Sequence, residues 1–406
     1  MPAGSHRERY TFRGNLRDTR YGWLRLTPAY SVHLVEEVLG ERSRPDLPVL
    51  DPFCGTGTTL LACAEQGIDC DSVDLNPFLL WLARAKSARY TPRDLATAIA
   101  AVAAMAARAT KPRKREPWTP AIHNIDRWWM PGTRHALGRA FEYVNEARLP
   151  ARVHDLALLA FCRALIETAL VSFGHQSMSF KSPSAGTERE EMQQVSEALR
   201  GAIESIVGAA SPPLPRACVR VVRGDSRALG VSLGERRYGT VVTSPPYANR
   251  MSYIRELRPY MYWLGYLVER RDAGELDWQA IGGTWGAATS NLNTWRPLPG
   301  QRVEVTGFAR LVRDIARRSE LLSRYVHRYF VDLTQHVRSL YPLVGRGGQV
   351  VYIIGNSKFY DVLVPAEQML AQILEGARFR HAEVYELRRR TSKTELFEYL
   401  VTASKG

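Results

Sequence analysis

"LPVLDPFCGTGTTLLACAEQG", Leu47 to Gly67, decides the fold. Val49 and Leu50 form a short apolar run, Gly55 and Gly57 flank Thr56, and a helical pattern begins at Thr58 and runs through Glu65. Strand, glycine turn and helix in that order open a β-α-β unit. Two glycines allow a tight turn and close approach of a ligand to the backbone, and the helix start behind them offers free N–H groups. In dinucleotide-binding folds this geometry holds a pyrophosphate. The spacing here is different. Leu60 stands where a third glycine would be, and no Gly-Lys-Ser/Thr follows as in a phosphate-binding loop. Asp51, beside the turn, would repel phosphate and attract an ammonium group.

Outward from this stretch, "IDCDSVDLNP" is a second strand ending on Asp74, where an acid can accept hydrogen bonds from ribose hydroxyls. A ligand with an amino acid end and a ribose but no phosphate is S-adenosylmethionine. Phe78 to Ala88 reads as a helix. Upstream, Thr27 and Pro28 are expected to start a helix that carries Val32, Val35 and Val38, and the basic stretch Met1 to Arg20 is expected to be poorly ordered. From Thr91 to Ala210 the pattern is helical. Thr91-Pro92 opens one helix, "KPRKREPWTP" is a basic linker, Arg152 to Phe173 is a strongly apolar helix, and Thr187 with Glu190 forms a capping box. Trp128 and Trp129 in "HNIDRWWMP" are candidates to anchor this helical segment. Strands return at "CVRVVRGDS" and "YGTVVTSPPY". Gly282 to Gly300 has no periodicity and reads as a long mobile loop. Arg310 to Leu343 is a long helix or helix pair, "GGQVVYIIGNS" a buried strand, and Ala366 to Glu375 a helix. "RHAEVYELRRR" and "EYLVTAS" form a closing strand pair. The cluster Tyr260, Tyr262, Trp263 and Tyr266 suits a core better than a stacking surface.

The second stretch with chemistry is "TVVTSPPYANR", Thr240 to Arg250. Pro245 and Pro246 lack backbone donors and fix φ, so they end any sheet ladder, and Ser244 before them is held extended. The result is a stiff tetrapeptide at a strand end that shows a hydroxyl, unpaired carbonyls and one ring. The same tripeptide recurs in "SPPLP", Ser211 to Pro215, behind a helix and without an aromatic residue. Ser-Pro-Pro alone therefore carries no signal; the preceding strand and Tyr247 make it one. Strands alternating with helices imply a mostly parallel sheet, and ligands of such sheets bind beyond the carboxyl ends of the strands. Asp51 to Gly57, Asp74, Asp225 and Ser244 to Tyr247 all follow strands, so they are expected to converge on one rim.

"DPFCGTGTT" resembles the cofactor motif of the amino-group DNA methyltransferases, and "TSPPY" resembles their catalytic motif. "VDLNP" and "RGDS" stand where that family carries its ribose and adenine contacts, and "GGQVVYIIGNS" resembles the strand after the catalytic motif. The resemblance implies an α/β, Rossmann-like fold: a doubly wound, mostly parallel seven-stranded sheet with an antiparallel C-terminal hairpin, here with a helical insertion. It implies S-adenosylmethionine as methyl donor, a flipped-out base in double-stranded DNA as acceptor, and no metal. Asp51, Pro52, Phe53, Cys54, Gly55, Gly57, Thr58, Asp74, Leu75, Asp225 and Ser226 become the cofactor-binding residues, and Ser244, Pro245, Pro246 and Tyr247 the catalytic ones. Asp74 and Asp225 also suit plain caps or turns. Serine at the start of the catalytic motif is most similar to the cytosine-N4 branch; aspartate or asparagine there is commoner in the adenine-N6 branch.

The chemistry follows from the residue types. An exocyclic amine is a poor nucleophile because its lone pair is delocalised into the ring. Acceptors facing both N–H groups, the Ser244 hydroxyl oxygen and the Pro245 carbonyl, would favour a pyramidal nitrogen that attacks the sulfonium methyl in line. Tyr247 offers a face for the extruded base. A strong general base is unnecessary, and no covalent cysteine is required, in keeping with the lack of a Pro-Cys pair. An adenine-N6 DNA enzyme, an RNA base amino-methyltransferase and a non-catalytic nucleic-acid-binding protein are the competing functions.

The bulk numbers agree with a polyanionic partner. The 406 residues carry a net charge of +14, with 45% hydrophobic and 24% charged residues. Five cysteines without a Cys-x-x-Cys pair argue against a disulfide framework or a zinc site. No apolar signal region or membrane-spanning run stands out, so a cytoplasmic protein of a bacterial cytoplasm or nucleoid is expected, in a restriction-modification or defence setting. Three regions result. Residues 1–88 hold the N-terminal segment and cofactor loop, 89–216 form a helical insertion assigned to target reading, and 217–406 complete the catalytic domain with the loop 282–300. The cofactor motif precedes the catalytic motif, the reverse of many cytosine-N4 enzymes. The usual places for a target-reading domain have no room, which is why the insertion receives that role.

Overall fold

Short buried strands separated by amphipathic helices leave the chain only one economical way to satisfy its backbone, a parallel sheet covered on both faces. The computed structural model describes residues 10–11, 15, 19–24, 26, 29–44, 46–111, 115–172, 179–182, 186–249, 252–283, 287–390 and 395–406. Helix α1 (Val32–Arg42) leads to β1 (Val49–Asp51), α2 (Thr58–Gln66), β2 (Cys70–Asp74) and α3 (Pro77–Ser87). Then come α4 (Pro92–Ala109), α5 (Pro131–Glu146), α6 (Ala151–Glu167), the small hairpin β3 (Val171–Ser172) with β4 (Ser179–Phe180), and α7 (Glu188–Ala210). The sheet resumes with β5 (Val219–Arg223), α8 (Leu229–Leu233) and β6 (Tyr238–Thr243). Five helices separate it from the next sheet strand: α9 (Arg258–Trp263), α10 (Arg270–Gln279), α11 (Ala287–Thr294), α12 (Phe308–Ala316) and α13 (Glu320–Leu340). β7 (Val344–Gly355), the hairpin β8 (Ser357–Phe359) and β9 (Val362–Val364), α14 (Ala366–Gly376), β10 (Arg380–Arg389) and β11 (Phe397–Ser404) complete the chain.

The seven-stranded sheet has the order β10-β11-β7-β6-β1-β2-β5. β1 pairs in parallel with both β2 and β6, β2 with β5, and β6 with β7. Only β11 runs against its neighbours, antiparallel to β7 and β10. This is the expected mostly parallel sheet with an antiparallel C-terminal hairpin. From β1 the chain winds outward through β2 to β5, then returns to the other side of β1 with β6. The direction of winding therefore reverses between β1 and β6, and the crevice beyond their carboxyl ends is where open α/β sheets bind ligands.

Helices α4 to α7 build a core of their own. The short helix after the "TSPPY" turn is embedded in it: Trp263 of α9 is fully buried with its ring 5.9 Å from Trp129, 5.6 Å from Phe161 and 6.1 Å from Phe141. Tyr260 and Tyr262 are buried beside it, so this aromatic cluster is core, as its composition suggests. Trp128 and Trp129 lie in the same core, where the Trp129 indole donates to the Leu165 carbonyl at 2.9 Å.

Several local expectations are corrected. Helix α1 starts after Ser31; Thr27 and Pro28 lie outside the described residues, as does part of the "KPRKRE" linker. Of the stretch Met1 to Arg20, residues 1–9, 12–14 and 16–18 lie outside the described residues, while Asn15 and Arg20 are buried. Asn15 caps the backbone of Val32 and binds the Tyr30 carbonyl, and Arg20 binds the carbonyls of Lys86, Ala88 and Ala210. These polar residues are ordered by carbonyl groups far away in sequence. The apolar helix from Arg152 stops at Glu167, because Leu170 turns its backbone to pair with Trp128 and Lys181. Phe173 is outside the described residues. The stretch 282–300 contains α11, in which Leu292 is the buried residue among the described side chains, too little to expose a period.

Candidate active site

β1 delivers Asp51 at its last position, fully buried and in the centre of the sheet. Its Oδ1 accepts from the Phe53 backbone N–H at 3.1 Å and from the Thr243 hydroxyl at 2.6 Å, and its Oδ2 accepts from the Tyr30 hydroxyl at 3.2 Å. Thr243 ends β6 and is the residue before Ser244. The cofactor-type turn and the "TSPPY" turn thus share a hydrogen bond at the point where the winding reverses. Burial pushes the Asp51 carboxyl up to about 6, against the pull of these donors, with the nearby Asp74 adding to the rise.

The glycine turn is shaped as its sequence suggests. Gly55 and Gly57 have φ of +49° and +79°, and a side chain at Gly57 would strike Ala83 at 2.9 Å. Helix α2 begins with no side-chain cap, so its first-turn N–H groups stay available to a ligand. Asp74 ends β2 and reaches back: its Oδ2 accepts from the Gly55 N–H at 2.9 Å and its Oδ1 from the Asn76 N–H at 2.9 Å. It is not the helix cap. Asn76 caps α3 by accepting from Phe78 N–H. Burial pushes the Asp74 carboxyl up to about 6, while the N–H groups of Asn76, Gly55 and Leu75 oppose this. Pro52 and Cys54 are buried in the turn, and Thr58 opens α2.

Asp225 takes a different part. It caps the tight turn that follows β5, accepting from Arg227 N–H at 2.9 Å, and both its oxygens accept from the Arg227 guanidinium at 2.7–3.1 Å. Burial alone would raise this carboxyl, but the Arg227 bonds hold it below the usual range. Arg227 also pairs with Asp332 of α13 at 3.0 Å and binds the Gln279 carbonyl at 2.8 Å. Ser226 is buried, and its carbonyl accepts from Ser339 and faces His336 Nδ1 at 3.0 Å. A carbonyl can only accept, so Nδ1 carries the proton and Nε2 accepts from Tyr352 at 2.8 Å. Burial lowers His336 to about 4, which keeps it neutral. Phe53 packs its ring 4.7 Å from this histidine. His336 therefore ties together the residues after β1, the residues after β5 and the strand β7.

Ser244 is half-buried, and the backbone around it is clamped. Tyr329 donates to the Pro246 carbonyl at 2.8 Å, and the Tyr247 N–H donates to the Tyr253 hydroxyl at 2.9 Å. The last two strands hold the Tyr247 side chain. Its hydroxyl donates to Glu398 Oε1 at 3.2 Å, Glu398 pairs with Arg388 at 2.7 Å, and the Arg390 guanidinium lies 4.9 Å from the ring centroid. Any side chain at Gly355 would meet the ring at 2.9 Å. Burial, with the Glu398 charge, pushes the Tyr247 phenol well above its ordinary range, and the Ser244 hydroxyl opposes this.

The site residues singled out from the sequence lie at or just beyond the carboxyl ends of β1, β2, β5 and β6, with Asp51 and the Ser244 turn linked through Thr243. Tyr30, Thr243, His336, Arg390 and Glu398 were not foreseen. Only Thr243 lay within a quoted motif, as the first residue of "TSPPY"; the others reach the site from other elements. The residues around the glycine turn suit a ligand with both charges and hydroxyls. Buried Asp51 is a partner for a cation, the uncapped start of α2 for a carboxylate, and Asp74 for hydroxyl donors. Among the described residues no group of three or more His, Cys, Asp or Glu is placed to hold a metal, and no helix is long and apolar enough to cross a membrane.

No family model matches the chain. Over nearly its whole length it is similar to the Type II methyltransferase M.AvaI of Nostoc sp., at 21% identity across 413 residues that cover 93% of this chain and 82% of the relative. It is likewise similar to the Type II methyltransferase M.BsoBI of Geobacillus stearothermophilus, at 21% identity over 95% of this chain and 83% of the relative. A shorter stretch of 47 residues, 12% of this chain and 9% of the relative, is 43% identical to the Type II methyltransferase M.MjaII of Methanocaldococcus jannaschii. Among solved structures, TrmN from Thermus thermophilus aligns with a TM-score of 0.33 and 12% identity over 97% of this chain, which spans about half (53%) of that chain. The rRNA methyltransferase aviRa from Streptomyces viridochromogenes aligns with a TM-score of 0.27 and 15% identity, covering 93% of this chain and 86% of that one.

Proposed function

We propose that this chain is an S-adenosylmethionine-dependent DNA methyltransferase that modifies the exocyclic N4 amine of a flipped-out cytosine. The observation that carries the reading is the Thr243–Asp51 hydrogen bond of 2.6 Å, which sets the cofactor-type turn against the "TSPPY" turn at the sheet's switch point. The similarity to Type II methyltransferases over more than nine-tenths of the chain supports it, and so does the net charge of +14.

S-adenosylmethionine, when bound, supplies an electrophilic methyl group on a sulfonium. The chain's own residues do the rest. Asp51 and the start of α2 hold the two charges of the amino acid end, and Asp74, locked by Gly55 and Asn76, accepts from ribose hydroxyls. Phe53 and the Asp225–Ser226 turn, backed by His336, wall the adenine side. Ser244 Oγ and the Pro245 carbonyl accept from the two N–H groups of the acceptor amine. That draws its lone pair out of conjugation, and the clamped prolines keep both acceptors in place without reorganisation. Tyr247, held by Glu398 and flanked by Arg390, supplies the aromatic surface against which the extruded base packs. The helical insertion, coupled to the catalytic turn through α9, takes part in target reading.

The experiment is direct. The protein is incubated with methyl-labelled S-adenosylmethionine and duplex DNA, the DNA is digested to nucleosides, and the product is identified by mass spectrometry. N4-methylcytosine is expected. N6-methyladenine would overturn the base assignment, and label confined to RNA would overturn the choice of nucleic acid.

A further inference from the structure

One cationic surface is left unexplained by the catalytic motifs. Between residues 302 and 318 there are five arginines and two carboxylates. Helix α12 buries Phe308, Leu311 and Ile315 on one side. Arg310, Arg313 and Arg317 follow at spacings of three and four, which puts them on the opposite side. Arg310 is 83% exposed and Arg317 78%, and Arg313 is exposed as well. Arg302 and Arg318 flank the row and are also exposed.

The placement of this helix gives the row meaning. α13 runs down to β7 from the end of the sheet where the "TSPPY" turn lies, and α12 packs on its upper half. Ser323 donates to the Val312 carbonyl at 2.9 Å, and the Phe308 ring lies 5.6 Å from Phe330 and 5.4 Å from His327. In the same stretch of α13, Tyr329 holds the Pro246 carbonyl. α12 also touches β9, which extends from the end of β7 beside the catalytic turn. The arginine row is thus carried by a helix that packs on the same stretch of α13 that clamps the catalytic turn.

A solvated helix face is the plain alternative. Asp314 sits within the row, 3.6 Å from Arg310 and 3.1 Å from Arg317, and Asp361 lies 3.6 Å from Arg318. Exposed pairs of this kind contribute little to stability, and one carboxylate among three arginines leaves the row cationic. Arg310 to Arg317 spans about 10 Å of helix axis, a length over which one DNA strand rises by about three phosphates.

We propose that α12 grips the phosphate backbone of duplex DNA next to the target base. This inference rests on the DNA reading above. Its chemistry is positional: guanidinium groups pair with phosphate oxygens and set the register of the duplex without reading sequence.

The test measures binding of a fluorescein-labelled DNA duplex of mixed sequence across a range of salt concentrations. For the triple variant Arg310→Ala, Arg313→Ala, Arg317→Ala, the slope of log affinity against log salt should flatten by two to three, at about 0.9 per phosphate contact. Loss should be similar for all sequences, and affinity for S-adenosylmethionine should be unchanged. A matched variant of exposed arginines at the opposite end of the sheet, before β6 and at the starts of β7 and β10, Arg237→Ala, Arg346→Ala, Arg380→Ala, should keep the wild-type slope. A wild-type slope in the α12 variant, or a slope loss confined to the control variant, overturns the inference while leaving the methyltransferase reading intact. A slope change seen only with RNA also overturns it. Wild-type protein that neither binds nor methylates duplex DNA overturns both.

Discussion

The Thr243 hydroxyl donates to Asp51 at 2.6 Å, and both residues are fully buried. They are 192 residues apart in the chain and adjacent in the sheet, because β6 returns to pair beside β1. The bond shortens the path from the glycine turn to Ser244 to two side chains. It also holds a buried carboxylate that burial has made easier to protonate.

Thr243→Val keeps the shape and removes the donor. Asp51 then loses one of its three partners inside the sheet, and stability should fall by about 1–3 kcal/mol. Cofactor affinity should fall with it, since the orientation of Asp51 relaxes. Thr243→Ser should restore both. Chemical denaturation and calorimetric titration with S-adenosylmethionine check this; a valine variant indistinguishable from wild type would refute the coupling.

Ser244→Ala should lower kcat by roughly 10²–10³-fold, the range seen when one preorganised hydrogen-bonding partner of a reacting group is deleted. Affinity for S-adenosylmethionine should stay nearly constant, because in this reading Ser244 acts on the acceptor amine and not on the cofactor. Equal losses in both would make the serine a structural element of the turn.

Glu398 separates orientation from charge. Glu398→Gln keeps an acceptor for the Tyr247 hydroxyl, and Glu398→Ala removes it. If Glu398 only fixes the ring, the glutamine variant should retain most of kcat and the alanine variant should lose it, with KM for the cofactor unmoved in both. Equal losses in the two variants would mean that the charge, or its pairing with Arg388, matters more than the hydrogen bond.

Lys86 provides a pH signature. It is 2% exposed, and its Nζ donates to the carbonyl of Thr56 in the glycine turn at 3.1 Å and to that of Tyr21 at 3.2 Å. Burial lowers it from the ordinary lysine value of 10.5 to about 7. The unfolded chain therefore binds more protons than the folded one between about pH 7 and 10.5. Through this group, folding stability should rise with pH across that window, by at most about 1.4 kcal/mol per pH unit. Lys86→Met should remove that part of the slope. Denaturant titrations at several pH values would show it, and an unchanged slope in the variant would place the titration elsewhere.

What the sequence determined by itself was local and periodic. Val49–Leu50 followed by Gly55, Gly57 and Thr58 dictates strand, turn and helix, since glycine adopts the positive φ found there without steric cost. Thr91 with Asp94 and Thr187 with Glu190 fix helix starts within four residues of chain. Pro245 and Pro246 end β6 wherever that strand lies. The placement of every motif after a strand was likewise legible, and with it the expectation of a common rim. What only the tertiary structure decided is which distant groups meet there. Tyr30 and Thr243 on Asp51, His336 behind Phe53 and Ser226, and Glu398 and Arg390 on Tyr247 all depend on strand order and helix packing. No residue spacing encodes such contacts, because they are set by the burial of faces contributed from separate elements, from 21 to 192 residues apart in the hydrogen-bonded pairs. The same holds for α11, where Leu292 alone among the described side chains is buried and leaves no period to read, and for Arg227, which holds the Asp225 carboxylate while also reaching Asp332 of α13 and the Gln279 carbonyl of α10.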